Sequence, residues 1–422
     1  MTPTTGKGVR LTRADWLLLL ILAAVQFTNV LDFMIVMPLS PDYMEKMDLT
    51  PDQFGMVASV YGYCAAASGL LAAVFLDRFD RKRALLGLYS GLTVATLLCA
   101  LAYNYPLLLL GRGLAGTFGG IVGACVMAIV GDSFHDSRRG TAMGVVMSAF
   151  SVASIVGIPI GRTLADAYGL GAPFVGIGAL ALVVLVAVIF VVPPMRGHLA
   201  HAAEAERVGL RELLTRSTFL RAYGLMASIT MSGFILMPFV AAYLVANVKR
   251  PKSDLDYVYV FGGLATVVSM NVVGRLADRF GKLRMFRILA VLTLVPLLAF
   301  TNLPPVSLAT ALTVTTVFWV TSSGRMVPAT ALITASAAPR YRGQFLSVNA
   351  TVQHLSSALA ASLGGFIIGK ADNKTLTNVN VVGLVAAAFA VLSVVLAGRL
   401  RPAAGDAVPQ AAPEAAPEVI AV

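Results

Sequence analysis

Charge is what this sequence has least of. Of its 422 residues, 13% are Asp, Glu, Lys or Arg, 58% are hydrophobic, and the mean hydropathy is +0.82. A soluble domain carries about 25% charged residues, so an ordinary water-soluble domain is excluded. Cysteine is also scarce. Cys64, Cys99 and Cys125 all lie in apolar runs, without metal-ligand spacing. They read as free packing thiols, with no disulfide expected. There is no His-rich cluster, no nucleophile constellation and no Gly-Lys-Ser/Thr ending to a phosphate loop. The sequence therefore argues against an enzyme and an ATP-driven pump, and it implies neither a metal nor a cofactor.

Long apolar runs are abundant instead. Stretches of 17–29 residues recur along the chain, each long enough to cross a hydrocarbon core of about 30 Å as a helix. Twelve spans are expected, at 16–39, 53–76, 84–103, 106–131, 140–161, 172–194, 219–245, 256–276, 285–302, 306–333, 343–369 and 379–398. An even number puts both termini on one side. That side, with the span ends that adjoin it, holds 23 Lys and Arg, against 7 on the other side. Positive residues favour the cytoplasm, so both termini are expected there. The net charge of +11 then reflects topology and contact with anionic membrane lipid rather than nucleic acid. The first apolar run is too long for a cleaved signal peptide and lacks a cleavage site.

The chain also repeats itself. "DRFDRKR" at Asp77 recurs as "DRFGKLR" at Asp278, and "DFMIVMPLSPDYM" at Asp32 aligns with "SGFILMPFVAAYL" at Ser232. "RRG" ending at Gly140 matches "YRG" ending at Gly343, and the three offsets are 201, 200 and 203. The expected organisation is a cytoplasmic N-terminus (1–15), a six-span half (16–194), a cytoplasmic linker (195–218), a second six-span half (219–400) and a disordered Ala/Pro-rich tail (401–422). "LRELL" in the linker suggests a short surface helix. Half the chain holds an even number of crossings, so the halves run parallel, as in transporters whose site lies between repeats near the midplane.

"DRFDRKR" and "GRLADRFGK" resemble the two copies of the loop motif of the major facilitator superfamily. "LLGRGLAGTFGG" resembles its span-4 arginine motif, and "GIPIG" at 157–161 its antiporter-associated span-5 motif. Together they resemble the twelve-span drug:proton antiporters and sugar-efflux-like permeases. The first loop copy differs from the family pattern, with Ala73 and Asp80 in place of glycines. The resemblance implies an all-α membrane protein of twelve transmembrane helices in two parallel six-helix pseudo-repeats. It also implies a working monomer, a small-molecule substrate, and a bacterial cytoplasmic (inner) membrane. The leading expectation is proton-coupled export by alternating access. Uptake by symport or facilitation, and a non-transporting receptor or scaffold, are the alternatives.

Asp32 is the most costly residue in the first span. An acid at such depth costs several kcal/mol unless paired, hydrated or protonated. Its repeat counterpart is Ser232, so the fold itself does not demand a carboxylate. Arg112 lies at a matching depth in span 4 and is the natural partner. Burial raises a carboxylate pKa and a nearby Arg lowers it, so the pair can act as a proton switch or as a fixed ion pair. Thr28 and Asn29 share roughly one face with Asp32, with Gln26 at its edge, and this stripe either lines a cavity or makes interhelical hydrogen bonds. Arg325, Gln353 and His354 are further cavity candidates, against snorkelling for Arg325 and packing for the others. The resemblance implies a cytoplasmic gate at Asp77, Arg78, Arg81, Gly274, Arg275, Asp278, Arg279 and Gly281. Gly144, Gly157, Pro159 and Gly161 in span 5 read either as a hinge, a bending or sliding contact between halves, or as plain packing. Phe27, Phe33, Tyr61, Phe234 and Trp319 either line a cavity or pack.

Overall fold

The computed structural model describes residues 12–196, 210–338 and 342–400, without the side chains of residues 73–75, 77, 136, 137, 210 and 211. The expected disordered tail, most of the linker and the first eleven residues lie outside the described residues. "LRELL" opens a short helix, Leu210–Thr215.

Among the described residues, six spans come first: α1 (Arg13–Ile35), α2 (Pro51–Phe75), α3 (Arg81–Ala100), α4 (Tyr105–Ser133), α5 and α6 (Ala172–Val191). α5 comprises Asp136–Val152 and Ile158–Tyr168, joined by a π turn at Ala153–Gly157. Six more follow: α7 (Ser217–Phe234), α8 (Asp254–Phe280), α9 (Lys282–Thr301), α10 (Leu308–Gly324, continuing as Met326–Ala335), α11 (Arg342–Ile367) and α12 (Val379–Gly398). Ten of the twelve are long and apolar enough to cross a membrane by length and composition. The other two have identifiable reasons. α10 is broken at Arg325, which leaves a first piece of 17 residues. α11 carries Asn349, Gln353, His354, Ser356 and Ser357, which lower its hydropathy.

Local chemistry sets the helix ends. At the head of α1, Asp15 N–H donates to Thr12 Oγ1 (3.1 Å) and Thr12 N–H to Asp15 Oδ2 (2.9 Å). Asp80 caps α3 by accepting from Arg83 N–H (3.1 Å), and Asn104 caps α4 by accepting from Leu107 N–H (3.0 Å). Each such cap is worth about 0.5–2 kcal/mol. α1 ends at Ile35, earlier than expected, because Pro38 has no N–H to continue the ladder. α7 ends at Phe234 for the same reason at Pro238. Short helices follow both breaks, Ser40–Lys46 and Val240–Ala246.

Packing repeats the sequence repeat. In the first half α1 packs on α5 and α6, α2 on α4, and α3 on α4 and α6. In the second half α7 packs on α11 and α12, α8 on α10, and α9 on α10 and α12. Every pair recurs six helices later. The halves meet through α2 with α11 and α5 with α8. Where α2 crosses α11, Gly55 and Gly365 face each other so closely that a Cβ on Gly365 would lie 2.8 Å from the Pro51 carbonyl oxygen. Ser362 Oγ donates to Ser59 Oγ (2.8 Å) across the same seam.

The two ends of the bundle differ. At the end opposite the termini one apolar cluster draws on both halves, including Leu39, Tyr43, Phe54, Phe239, Tyr243 and Leu255. At the terminal end each half has its own cluster, one around Tyr89 and Val126, the other around Phe219 and Phe345. The halves are therefore joined at one end and packed separately at the other. A two-residue hairpin, Gly369–Lys370 with Leu376–Thr377, links α11 to α12.

Candidate functional site

The structure brings Asp32 and Arg112 together. Arg112 Nη1 donates to Asp32 Oδ2 (3.1 Å) and to the Asp32 carbonyl (2.9 Å), and Nη2 donates to the Phe33 carbonyl (3.4 Å). Thr96 Oγ1 donates to Asp32 Oδ1 (2.8 Å). Both charged residues are fully buried. The guanidinium lies over the Tyr61 ring, 4.9 Å from its centroid, and its Nε has no hydrogen-bond partner. Each carboxylate oxygen thus has one hydrogen-bond partner. Thr96 and Tyr61 complete this site. Tyr61 is one of the aromatics expected to line a cavity or pack, whereas Thr96 carries no sequence signal of its own, because a Thr within a span is common.

The stripe beside Asp32 makes interhelical hydrogen bonds in this structure. Thr28 Oγ1 shares a hydrogen bond with Tyr89 OH (2.8 Å). Asn29 Nδ2 donates to the Gly119 carbonyl (3.2 Å), and its Oδ1 accepts from Tyr61 OH (3.3 Å). Interhelical partners satisfy these polar groups in a segment that has no water to do so. Gln26 is half-buried toward α4 at Gly123, and its Oε1 has no partner. Gln353 and His354 are half-buried on α11, the helix that packs along α2.

Arg325 sits at the break in α10 and is 1% exposed. Burial excludes snorkelling to a lipid surface. Its Nη2 donates to Ser232 Oγ (3.1 Å) and weakly to the Ile229 carbonyl (3.5 Å), while Nε and Nη1 have no partner. Ser232 is the repeat counterpart of Asp32. Next to this seam, and not lined by Arg325 or Ser232 themselves, is a cavity of about 90 Å³ between the halves. Met34, Phe150 and Ser154 line it from one half, Gly263, Trp319 and Ser322 from the other. Trp319 Nε1 and Ser322 Oγ are buried there without partners.

At the terminal end Arg81 Nε pairs with Asp132 Oδ2 (3.0 Å) within the first half, and Arg196 Nε of the linker pairs with Asp80 (3.3 Å). Asp278, Arg275 and Arg279 are exposed, with Arg279 over the Phe280 ring. Arg78 is exposed on the turn Leu76–Arg78, and the side chain of Asp77 lies outside the described residues. Gly274 lies inside α8. Gly281 ends α8 at φ +92°, a conformation that L side chains rarely adopt.

The expected span-5 hinge residues all lie on α5. Gly157 and Gly161 pack against Leu31 and Ile35 of α1 in their own half, and Gly144 meets nothing. The irregularity is the π turn before Pro159, where Ile158 N–H bonds the Ala153 carbonyl. Contact with the other half comes from Ser154 and Ile155 against Gly263.

The latch that does bridge the halves lies at the opposite end. Its centre, Arg162, was not singled out in the sequence. Fully buried, it donates from Nε to Asp256 Oδ1 (2.8 Å), from Nη1 to the Pro38 carbonyl (3.0 Å) and from Nη2 to the Lys252 carbonyl (2.7 Å). Lys252 Nζ reaches back to Asp42 (2.8 Å) and Glu45 (2.7 Å). The hydrogen bonds from Lys252 hold Glu45 below the usual carboxylate range. Partial burial works against the Lys252 ammonium, but its bonds to the two acids raise its pKa overall.

Two parallel six-helix halves joined at one end and separate at the other, with a buried ion pair in one half, define a membrane transporter. The Major Facilitator Superfamily model matches residues 22–361 and 223–420. The chain belongs to that superfamily. It is 24% identical over 347 residues to the uncharacterized MFS-type transporter YceJ of Bacillus subtilis (strain 168), covering 82% of this chain and 87% of the relative. It is 24% identical over 364 residues to Multidrug resistance protein 2 of the same organism, covering 82% and 88%. A probable sugar efflux transporter of Mannheimia succiniciproducens is 22% identical over 269 residues, covering 63% and 66%. Among solved structures, a bacterial homolog to the human lysosomal transporter Spinster, inward-facing and unoccupied, superposes with a TM-score of 0.72 at 16% identity. That match covers 92% of this chain and 99% of the other. The chain is thus a multi-pass membrane transporter and not an enzyme.

Proposed function

We propose that this transporter exports a small molecule in exchange for protons, by alternating access, as a monomer in a bacterial inner membrane. The Asp32–Arg112 pair carries this reading. It is a buried acid and cation in one half, with the acid replaced by Ser232 in the other. Asp32 takes up a proton when the site opens outward. Neutralisation weakens its hold on Arg112 and frees the half to move. When the site opens inward, Arg112 and Thr96 re-engage the carboxylate and the proton leaves. The geometry described above corresponds to the released state.

The terminal end is cytoplasmic on the positive-inside argument, so the state is open inward and latched outward by Arg162 and Lys252. The exposed Asp278, Arg275 and Arg279, with Asp77, Arg78 and Arg81, form the inner latch in the alternate state. The efflux-type names of two relatives support the direction of transport.

The test is proton flux in reconstituted vesicles against lipophilic cations, sugars, nucleosides and aromatic carboxylates. Wild type should show substrate-triggered proton movement, and Asp32→Asn should show none. Equal gradient-driven transport by both proteins would reduce Asp32 to a structural ion-pair partner.

A further inference from the structure

The two halves handle their deep arginines differently. Arg112 has a carboxylate, and Arg162 donates from each of its three nitrogens, one of them to Asp256. Arg325 is as buried as these, yet only its Nη2 donates, to a hydroxyl and a carbonyl. No carboxylate of the described residues pairs with it. A guanidinium cannot shed its proton to escape the cost of burial, and an unpaired charge at membrane depth is among the most unfavourable features a span can hold. Repeat symmetry sharpens the point. The position that supplies Asp32 in the first half supplies Ser232 in the second, and Ser232 is what Arg325 reaches. The second half keeps a cation at the place where the first half keeps a neutral pair.

Three further observations lie on the same seam. Gly233, next to Ser232, lines the cavity between the halves, as does Ser323, two residues before Arg325. Trp319 Nε1 and Ser322 Oγ on the cavity-lining helix are buried donors without acceptors. The remaining wall is apolar and aromatic, with Met34, Phe150 and Phe318. Residues with unpartnered donors on the wall of a greasy cavity, with an uncompensated cation two residues beyond the lining Ser323, match one kind of guest: an anionic group on an apolar body.

We propose that Arg325, with Trp319 and Ser322, forms the recognition site for a small organic anion bearing a carboxylate or phosphate, and that this anion is the transported substrate. Its identity as substrate rests on the transport reading above, whereas its binding does not. Substrate charge then completes in the second half the pairing that Asp32 completes in the first.

The chain has two tryptophans, Trp16 and Trp319. In a Trp16→Phe background, emission from Trp319 reports on the cavity alone. We would titrate benzoate, phenyl phosphate and benzamide into this protein in nanodiscs of neutral lipid, with no proton gradient. Benzoate or phenyl phosphate should bind about tenfold or more tightly than benzamide, the gain expected of charge-assisted hydrogen bonds. Arg325→Gln should abolish that preference. Ser232→Asp supplies an internal counter-charge. It should abolish the preference too while raising thermal stability, which separates loss of the site from loss of the fold.

Equal affinity for benzamide, a preference that survives both substitutions, or no anion binding at millimolar concentration would each overturn the proposal. Loss of benzoate binding on adding an anionic phospholipid would assign the site to a lipid headgroup and overturn the substrate assignment. Because no gradient is present, failure here leaves proton coupling through Asp32 standing, and failure of coupling leaves this result standing.

Discussion

Asp32 and Arg112 are each buried beyond reach of water, so each depends on the other. Removing one partner of such a pair typically costs about 3–5 kcal/mol, most of it the penalty of stranding the remaining charge. Asp32→Asn should therefore lower the unfolding temperature in detergent, and adding Arg112→Gln should restore part of the loss. The double variant should still move no protons. If it regained coupled transport, Asp32 would be a packing residue. The depth argument made this pair legible in the sequence, because two opposite charges in apolar spans are rare and conspicuous. Arg162 was hidden for the opposite reason. It directly follows Gly161 at a break in the apolar pattern, where a cation reads as the end of a span. α5 in fact continues to Tyr168, and the acid that pairs with Arg162 is 94 residues away in the other half. Thr28 and Asn29 were ambiguous in the same way. Periodicity gave their face but not its neighbours, Tyr89 and Tyr61.

At the scale of elements, α2 and α11 hold the halves together through close backbone approach. Gly365→Val would push a side chain into the Pro51 carbonyl and the Gly55 Cα. Overpacking of this kind costs about 1–3 kcal/mol, enough to change the ratio of closed to open states at the opposite end by roughly tenfold. Spin labels on the two halves at that end should report a longer mean distance than in wild type. An unchanged distance distribution would show that the seam has slack. The twelve-span plan was readable from run length and charge, and the repeat from three aligned landmarks. The ends of α1 and α7 were not placed by hydropathy, because the apolar runs continue past Pro38 and Pro238 while the hydrogen-bond ladder does not. The break in α10 follows the same rule: its first piece ends at Gly324, four residues before Pro328, as α7 ends at Phe234, four before Pro238.

For the whole molecule, the outer latch sets how closure responds to pH. Glu45 has a lowered pKa when bound to Lys252, so its contribution is present above the ordinary carboxylate value and is lost as pH falls through the lowered one. Lys252 has a raised pKa, so its contribution is present below the ordinary lysine value and is lost as pH rises through the raised one. The Glu45–Lys252 contribution to closure should therefore be flat between about pH 5 and pH 10. Any pH response of transport in that window must come from elsewhere. Glu45 is more than half exposed, so its pair with Lys252 is weak and sensitive to salt. Spin-label distances across the latch should change little in Lys252→Ala and strongly in Arg162→Ala. A large change in Lys252→Ala, or none in Arg162→Ala, would contradict this assignment.

The shared apolar cluster at the latched end has a thermal consequence. Opening that end wets side chains such as Leu39, Phe54, Phe239 and Leu255, which are now dry. The partner surfaces at the terminal end, by contrast, carry the charged loops. The hydrophobic term that favours the present state is entropic near room temperature and weakens on cooling. The balance between the two access states therefore tilts with temperature, and a chilled membrane holds more of the population facing the side of the membrane opposite the termini.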